Sequence, residues 1–160
     1  MEKLSQILWR ERELLDTLLY KLEQEQMVLA SGRTRWLMRS AREVEAVLTT
    51  IRETEILRSI AADQVAASIG LSENPSLRVL SEACDEPWRS ILADHHEAFV
   101  TITAEIAALA DANRDLITAG YRPARETLMS LDGGSPAGYG ADGAVVATTD
   151  NRQRLVDWSL

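Results

Sequence analysis

The chain steps through residues 4, 8, 11, 15, 18, 22, 25 and 29 by alternating strides of four and three, and six of those eight positions are leucine. That stride is the spacing of a helix seam, because one face of a helix with about 3.6 residues per turn returns at i+3 or i+4. Ile7, Leu14, Leu19 and Val28 widen the stripe to what a packed bundle helix needs. Glu11 and Glu25 interrupt it chemically, but no glycine or proline interrupts it conformationally before Gly32. At about 1.5 Å per residue such a helix is roughly 40 Å long. A stripe of that length cannot face water, so the chain is committed to packing helix against helix.

The same spacing recurs twice. In "SGRT", Gly32 predicts a helix C-terminus and Thr34 the next N-cap. A second seam then runs Leu37, Ala41, Val44, Leu48, Ile51, Glu55, Arg58, Ala62, Val65, Ile69 and stops at Gly70. A short helix is predicted from Ser76 to about Ala83. Pro87 marks the first turn of a third long helix. Its seam runs Trp88, Leu92, His95, Phe99, Ile102, Ile106, Leu109, Asn113, Leu116, Gly120. Proline in a helix interior costs about 3 kcal/mol, so Pro123 predicts a kink or break. A last helical stretch follows from Ala124 to Leu131.

Short connections make neighbouring helices antiparallel. The expected fold is therefore all-α: an elongated antiparallel three-helix bundle, or helical hairpin with a long third helix. The bundle occupies residues 1–131 and a Gly-rich flexible tail residues 132–160. Five of the eight glycines lie in "LMSLDGGSPAGYGADGAVV", which cannot sustain a helix. The competing architecture is a long dimeric coiled coil. Gly32 and the stretch from Gly70 to Pro75 argue against it by dividing the pattern into hairpin lengths.

The formal net charge of −8 disfavours nucleic acid, which requires a concentrated positive face. The single cysteine, Cys84, forms neither an internal disulfide nor a zinc cluster, which suits a reducing compartment. The first residues lack the apolar core of a signal peptide, and no run reaches the ~18 apolar residues of a membrane span. The protein is expected to be cytoplasmic, with no membrane insertion.

No catalytic signature appears. His95 and His96 are adjacent, and no carboxylate or histidine stands three or four residues away from either to complete a metal site. They read as a boundary histidine with a solvated neighbour. There is no Walker-type loop, Rossmann fingerprint or Gly-x-Ser-x-Gly. Neither cofactor nor metal is expected, and the chain is not expected to be an enzyme. Glu55, Arg58 and Asn113 are polar residues on seams, which either select register or mark a drift of the seam toward solvent. Arginines cluster in "GRTRWLMRSAR", and acids outnumber arginines seven to two across residues 85–115. An up-down-up order brings Asp111 and Asp115 near Arg35, Arg39 and Arg42, where surface pairs contribute ~0–1 kcal/mol.

Apolar residues also outrun the cover that the first two helices supply. Leu116, Ile117, Tyr121, Leu128, Met129 and Leu131 lie beyond it and predict an exposed partner site, used by helix-in-groove pairing. The glycines that follow release the chain, leaving Tyr139 as an anchor on a tether whose ordering cost keeps binding reversible.

The order of these features resembles the FlgN family of flagellar export chaperones. The likeness rests on four stretches in sequence. The first is "LWRERELLDTLLYKLEQEQMVLASGRTRWL", and the second is "REVEAVLTTIRETEILRSIAADQVAASIGL". The third is "LADANRDLITAGYRPARETLMSL", which contains Asn113 and Arg125. The last is "GYGADG", with Tyr139, Gly140 and Gly143. The resemblance implies a cytosolic chaperone that binds hook-associated proteins through its C-terminal part, prevents their premature assembly and brings them to the flagellar export gate. Asn113, Arg125, Tyr139, Gly140 and Gly143 join the partner-binding set on that ground. A monomer or weak homodimer is expected. The alternative is a non-enzymatic coiled-coil scaffold or adaptor unrelated to flagella, which would be a stable homodimer indifferent to its tail.

Overall fold

The structure, a computed structural model, describes residues 1–131. Four α-helices follow one another: α1 (Glu2–Ala30), α2 (Leu37–Ser68), α3 (Leu77–Ala83) and α4 (Trp88–Leu131). A single 3-10 turn, Thr34–Trp36, precedes α2. Among the described residues there is no strand, so the fold is an all-α bundle; four helices and a turn replace the simple count of three. The chain divides into two compact units, Met1–Ala119 and Gly120–Leu160.

In the first unit α1 is the central element. Seven of its eight seam positions, Leu4 through Glu25, are buried, and only Leu29 is partly exposed. Two apolar clusters lie along it. Leu4 and Leu8 pack with Ala61, Val65 and Ala66 of α2, with Leu80 and Cys84, and with Leu92 of α4. Further along, Leu14, Leu15, Leu18 and Leu22 pack with Ile51 of α2 and Ile102 of α4. The pairings fix the directions: α2 runs antiparallel to α1 and α4 parallel to it. Each fully buried leucine of this kind contributes on the order of 1.5–3 kcal/mol through removal of apolar surface from water.

The turns follow from backbone chemistry. Gly32 and Gly70 adopt φ of +65° and +75°, the left-handed region where a side chain is strained. After α2 the Leu71 N–H donates to the Ala66 carbonyl at 2.9 Å, the long-range bond of a Schellman cap. Ser76 caps α3 by accepting from the Val79 N–H at 3.2 Å. Thr34 does not act as an N-cap; it opens the 3-10 turn, and α2 begins at Leu37. The Ser31 and Gly32 N–H groups bond back to Met27 and Leu29, and this tight exit carries the chain into a further turn before α2 can start.

Pro123 does not break the last helix. α4 continues through Gly120 and Pro123 to Leu131. Proline removes only the one bond its N–H would have given to the Ala119 carbonyl, and Ala119 is exposed, so water can take that acceptor. The described part of the second unit is this helical stretch, residues 120–131.

Among the described residues, Asp111 and Asp115 form no ion pair with Arg35, Arg39 or Arg42. Asp111 pairs with Arg114 on its own helix at 2.7 Å. Arg39 pairs with Glu43 at 3.0 Å, and Glu43 also reaches Lys21 of α1 at 2.8 Å. Near neighbours on one helix offer a partner at lower entropic cost than a reach across the bundle.

Candidate partner-binding site

The polar seam residues sort the predicted site. Asn113 is buried, and its side-chain amide donates to the Leu22 carbonyl at 2.9 Å and to a Glu25 carboxylate oxygen at 3.2 Å. It holds α4 to α1 from inside the first unit. Glu11, the other glutamate of the α1 stripe, meets Arg58 of α2 at 2.8 Å. The Arg58 Nε–H is not aligned on that oxygen, so the contact is an ion pair without a well-directed hydrogen bond. Burial accordingly pushes the Glu11 carboxyl above its ordinary value, against the opposing pull of Arg58, and Glu55 pushes the same way as burial. The two glutamates of the α1 seam are thus answered from different helices, which fixes register on both sides of the bundle.

Leu116 and Ile117 close the apolar content of α4 within the first unit, and both are exposed. In the second unit Leu128 and Met129 are 68% and 67% exposed, beside an exposed Glu126. Of the predicted site residues whose exposure is described, these four stand open to solvent and Asn113 is buried. Tyr121, Arg125 and Leu131 belong to the 120–131 helical stretch. Tyr139, Gly140 and Gly143 lie outside the described residues, as does the tail expected over 132–160.

His95 differs from expectation. It is only 2% exposed, inside the bundle rather than at its boundary. Trp9 covers it, edge to face with ring centroids 4.9 Å apart, and the Phe99 ring is tilted against it at 6.1 Å. Trp9 lies off the leucine stripe, so stepping along the stripe gave no sign of the lid. Neither ring nitrogen has a hydrogen-bond partner. Burial, aided by the Arg12 charge, holds the imidazole below its ordinary value, with Asp94 opposing. Cys84 is buried in the first cluster, and burial raises its thiol further from the reactive form.

Sequence reasoning also missed exposed apolar residues on α2. Ile56, Leu57 and Ile60 are all at least half exposed, whereas Thr54, Ala61 and Val65 of the same helix are buried. The available signal was the i, i+4 pair Ile56–Ile60 lying off the seam. Among the described residues no group of histidine, cysteine or carboxylate side chains could hold a metal ion, and no helix is long and apolar enough to cross a membrane.

The class is set by the fold: an all-α bundle built on one leucine-seamed helix, with buried polar contacts fixing its neighbours. Within that class the chain belongs to the FlgN protein family, whose model matches residues 1–147. Membership carries the family's general role, that of a chaperone in flagellar export. Neither a curated protein nor a solved structure matches the chain.

Proposed function

We propose that this protein is a cytoplasmic, non-enzymatic chaperone that binds hook-associated flagellar proteins, keeps them unassembled and delivers them to the export gate. Family membership supports the general role, and the exposed Leu128 and Met129 carry the placement of the site. Large apolar side chains left in water beside a polar residue mark a surface that a partner covers. Burying two such side chains offers on the order of 3–6 kcal/mol before ordering costs are subtracted. Association costs of at least about 4 kcal/mol absorb most of that gain, so these two side chains hold a client only together with further contacts. Leu116 and Ile117 offer a second exposed pair, within the first unit. The complex is one-to-one with a monomeric chaperone, and residues 132–147 contribute Tyr139, Gly140 and Gly143 to it.

The test is co-purification and titration of the full chain with the two hook–filament junction proteins. The double variant Leu128→Ser/Met129→Ser is expected to weaken binding by about tenfold or more, as loss of ~2 kcal/mol of apolar contact implies. Undiminished binding by that variant would move the site elsewhere. Failure of both junction proteins to bind the wild-type chain would remove the client assignment.

A further inference from the structure

We propose that the Trp9–His95 contact is a proton-operated latch, in which protonation of His95 turns the ring out from under the Trp9 indole and into the hollow beside it. The latch lies wholly within the first unit, between α1 and α4, and rests on no reading of what the protein binds.

In the closed arrangement nothing receives the polar atoms of the ring. His95 is 2% exposed, and both ring nitrogens are sealed from solvent without a hydrogen-bond partner. A neutral imidazole has one N–H to place, whereas an imidazolium has two and a charge. The neighbouring rings supply no oxygen or nitrogen acceptor: Trp9 stands edge to face at 4.9 Å, and Phe99 is tilted against the imidazole at 6.1 Å. The indole already carries a cation, since Arg12 lies over its ring at 5.5 Å. A second cation against the same ring is repelled by the first. The charged groups that act on His95 are Arg12 from α1, which opposes protonation, and Asp94 from α4, which favours it; among the described residues α2 and α3 bring none. An unpaired cation in this cage loses its hydration and gains no partner, so protonation of the ring and its burial exclude one another.

The fold also supplies a way out. A hollow of about 280 Å³ adjoins the ring, lined by Ser5, Trp9, Arg12, Ile91 and Asp94. That is more room than an imidazole occupies. It offers the Asp94 carboxylate and the Ser5 hydroxyl as acceptors for the two N–H groups. Asp94 is exposed and, among the described residues, in no ion pair. The hollow is partly open to water, which screens the Arg12 charge there. Trp9 is already half exposed, so it gives way at lower cost than a core side chain. The helices themselves stay together, because Leu4 and Leu8 remain buried with Leu92 in the first cluster. Acid therefore bares the indole without unfolding the bundle.

The experiment is fluorine NMR of the full chain carrying fluorotryptophan, titrated from about pH 7.5 to pH 5 in light and heavy water. The solvent-isotope shift reports the hydration of each indole, and Trp9 is assigned by the signal lost in Trp9→Phe. The His95 ring Cε1 proton is followed in parallel. The Trp9 isotope shift is expected to grow as His95 takes up its proton, with Trp36 and Trp88 unmoved. His95→Phe keeps a ring that cannot be protonated and is expected to abolish the change, whereas His96→Gln is expected to leave it intact. Arg12→Gln is expected to move the midpoint to higher pH and Asp94→Asn to lower pH. Neither of those two side chains is buried, so they decide the matter even where His95→Phe fails to fold. A Trp9 signal that stays constant while His95 titrates would show the cation accommodated in place and overturn the latch. So would three tryptophans that move together, which is global unfolding, or a midpoint that neither charge variant shifts.

Discussion

Glu11 and His95 are buried ionisable residues whose protonation acts on stability in opposite directions. The Glu11 carboxyl is raised above its ordinary 4.5, chiefly by burial. The stability it contributes is fully present below that value and is lost as pH rises through the raised one. The His95 ring is depressed below its ordinary 6.5, again chiefly by burial. Its contribution is present above that value and is lost as pH falls through the depressed one. Melting temperatures between about pH 7.5 and pH 5 separate the two. His95→Leu is expected to flatten the loss on acidification that the wild type shows. Glu11→Gln is expected to steepen it, because the compensating gain from protonating Glu11 disappears. At pH 7 Glu11→Gln is expected to melt no lower than wild type, since Arg58 is partly exposed and can hydrate once its buried partner is neutral. A wild-type profile unchanged by either substitution would mean that neither group is buried in solution as described.

At the scale of elements, the turns are where single residues decide structure. Gly70 adopts φ +75°, and a methyl group added there would meet nothing within 4 Å. Gly70→Ala therefore isolates the conformational cost of a left-handed residue, about 1 kcal/mol, readable as a shift in urea midpoint at constant slope. The end of α2 at this glycine was legible in the sequence, as was the start of α3 at Ser76, because each depends on a side chain or its absence at one position. The α1 seam was legible because Leu4 to Leu22 repeat the same stride over several turns. The α2 seam was less so. Its buried face includes Thr54, Ala61 and Ala66, while Ile56, Leu57 and Ile60 point outward, so hydrophobicity alone misassigns part of the helix. Of the kink or break expected at Pro123, the break did not occur: the cost of a proline is local, one backbone bond whose acceptor belongs to the exposed residue Ala119. The Trp9–His95 and Glu11–Arg58 contacts depend on how neighbouring helices are rotated against one another, which a periodicity along one helix does not encode.

At the scale of the molecule, a chaperone has to keep its own fold independent of its cargo, and leucine is used here for both tasks. Leu8 is completely buried between α1, α2 and α4, while Leu128, in the other unit, is mostly in water. The same chemical group should therefore report stability at one position and binding at the other. Leu8→Ala removes a core side chain and is expected to cost about 3 kcal/mol, lowering the melting temperature by roughly 6–12 °C for a chain of this size. Leu128→Ala changes a surface position and is expected to move it by less than about 1–2 °C. Client affinity should reverse the order. Leu128→Ala should weaken it, while Leu8→Ala, assayed well below its melting point, should leave it near wild type. Calorimetry of the two variants alongside titration with a junction protein makes the comparison. A Leu128→Ala variant that melts as early as Leu8→Ala would show that Leu128 belongs to the protein's own core, and the cargo would then have to be held by a different surface.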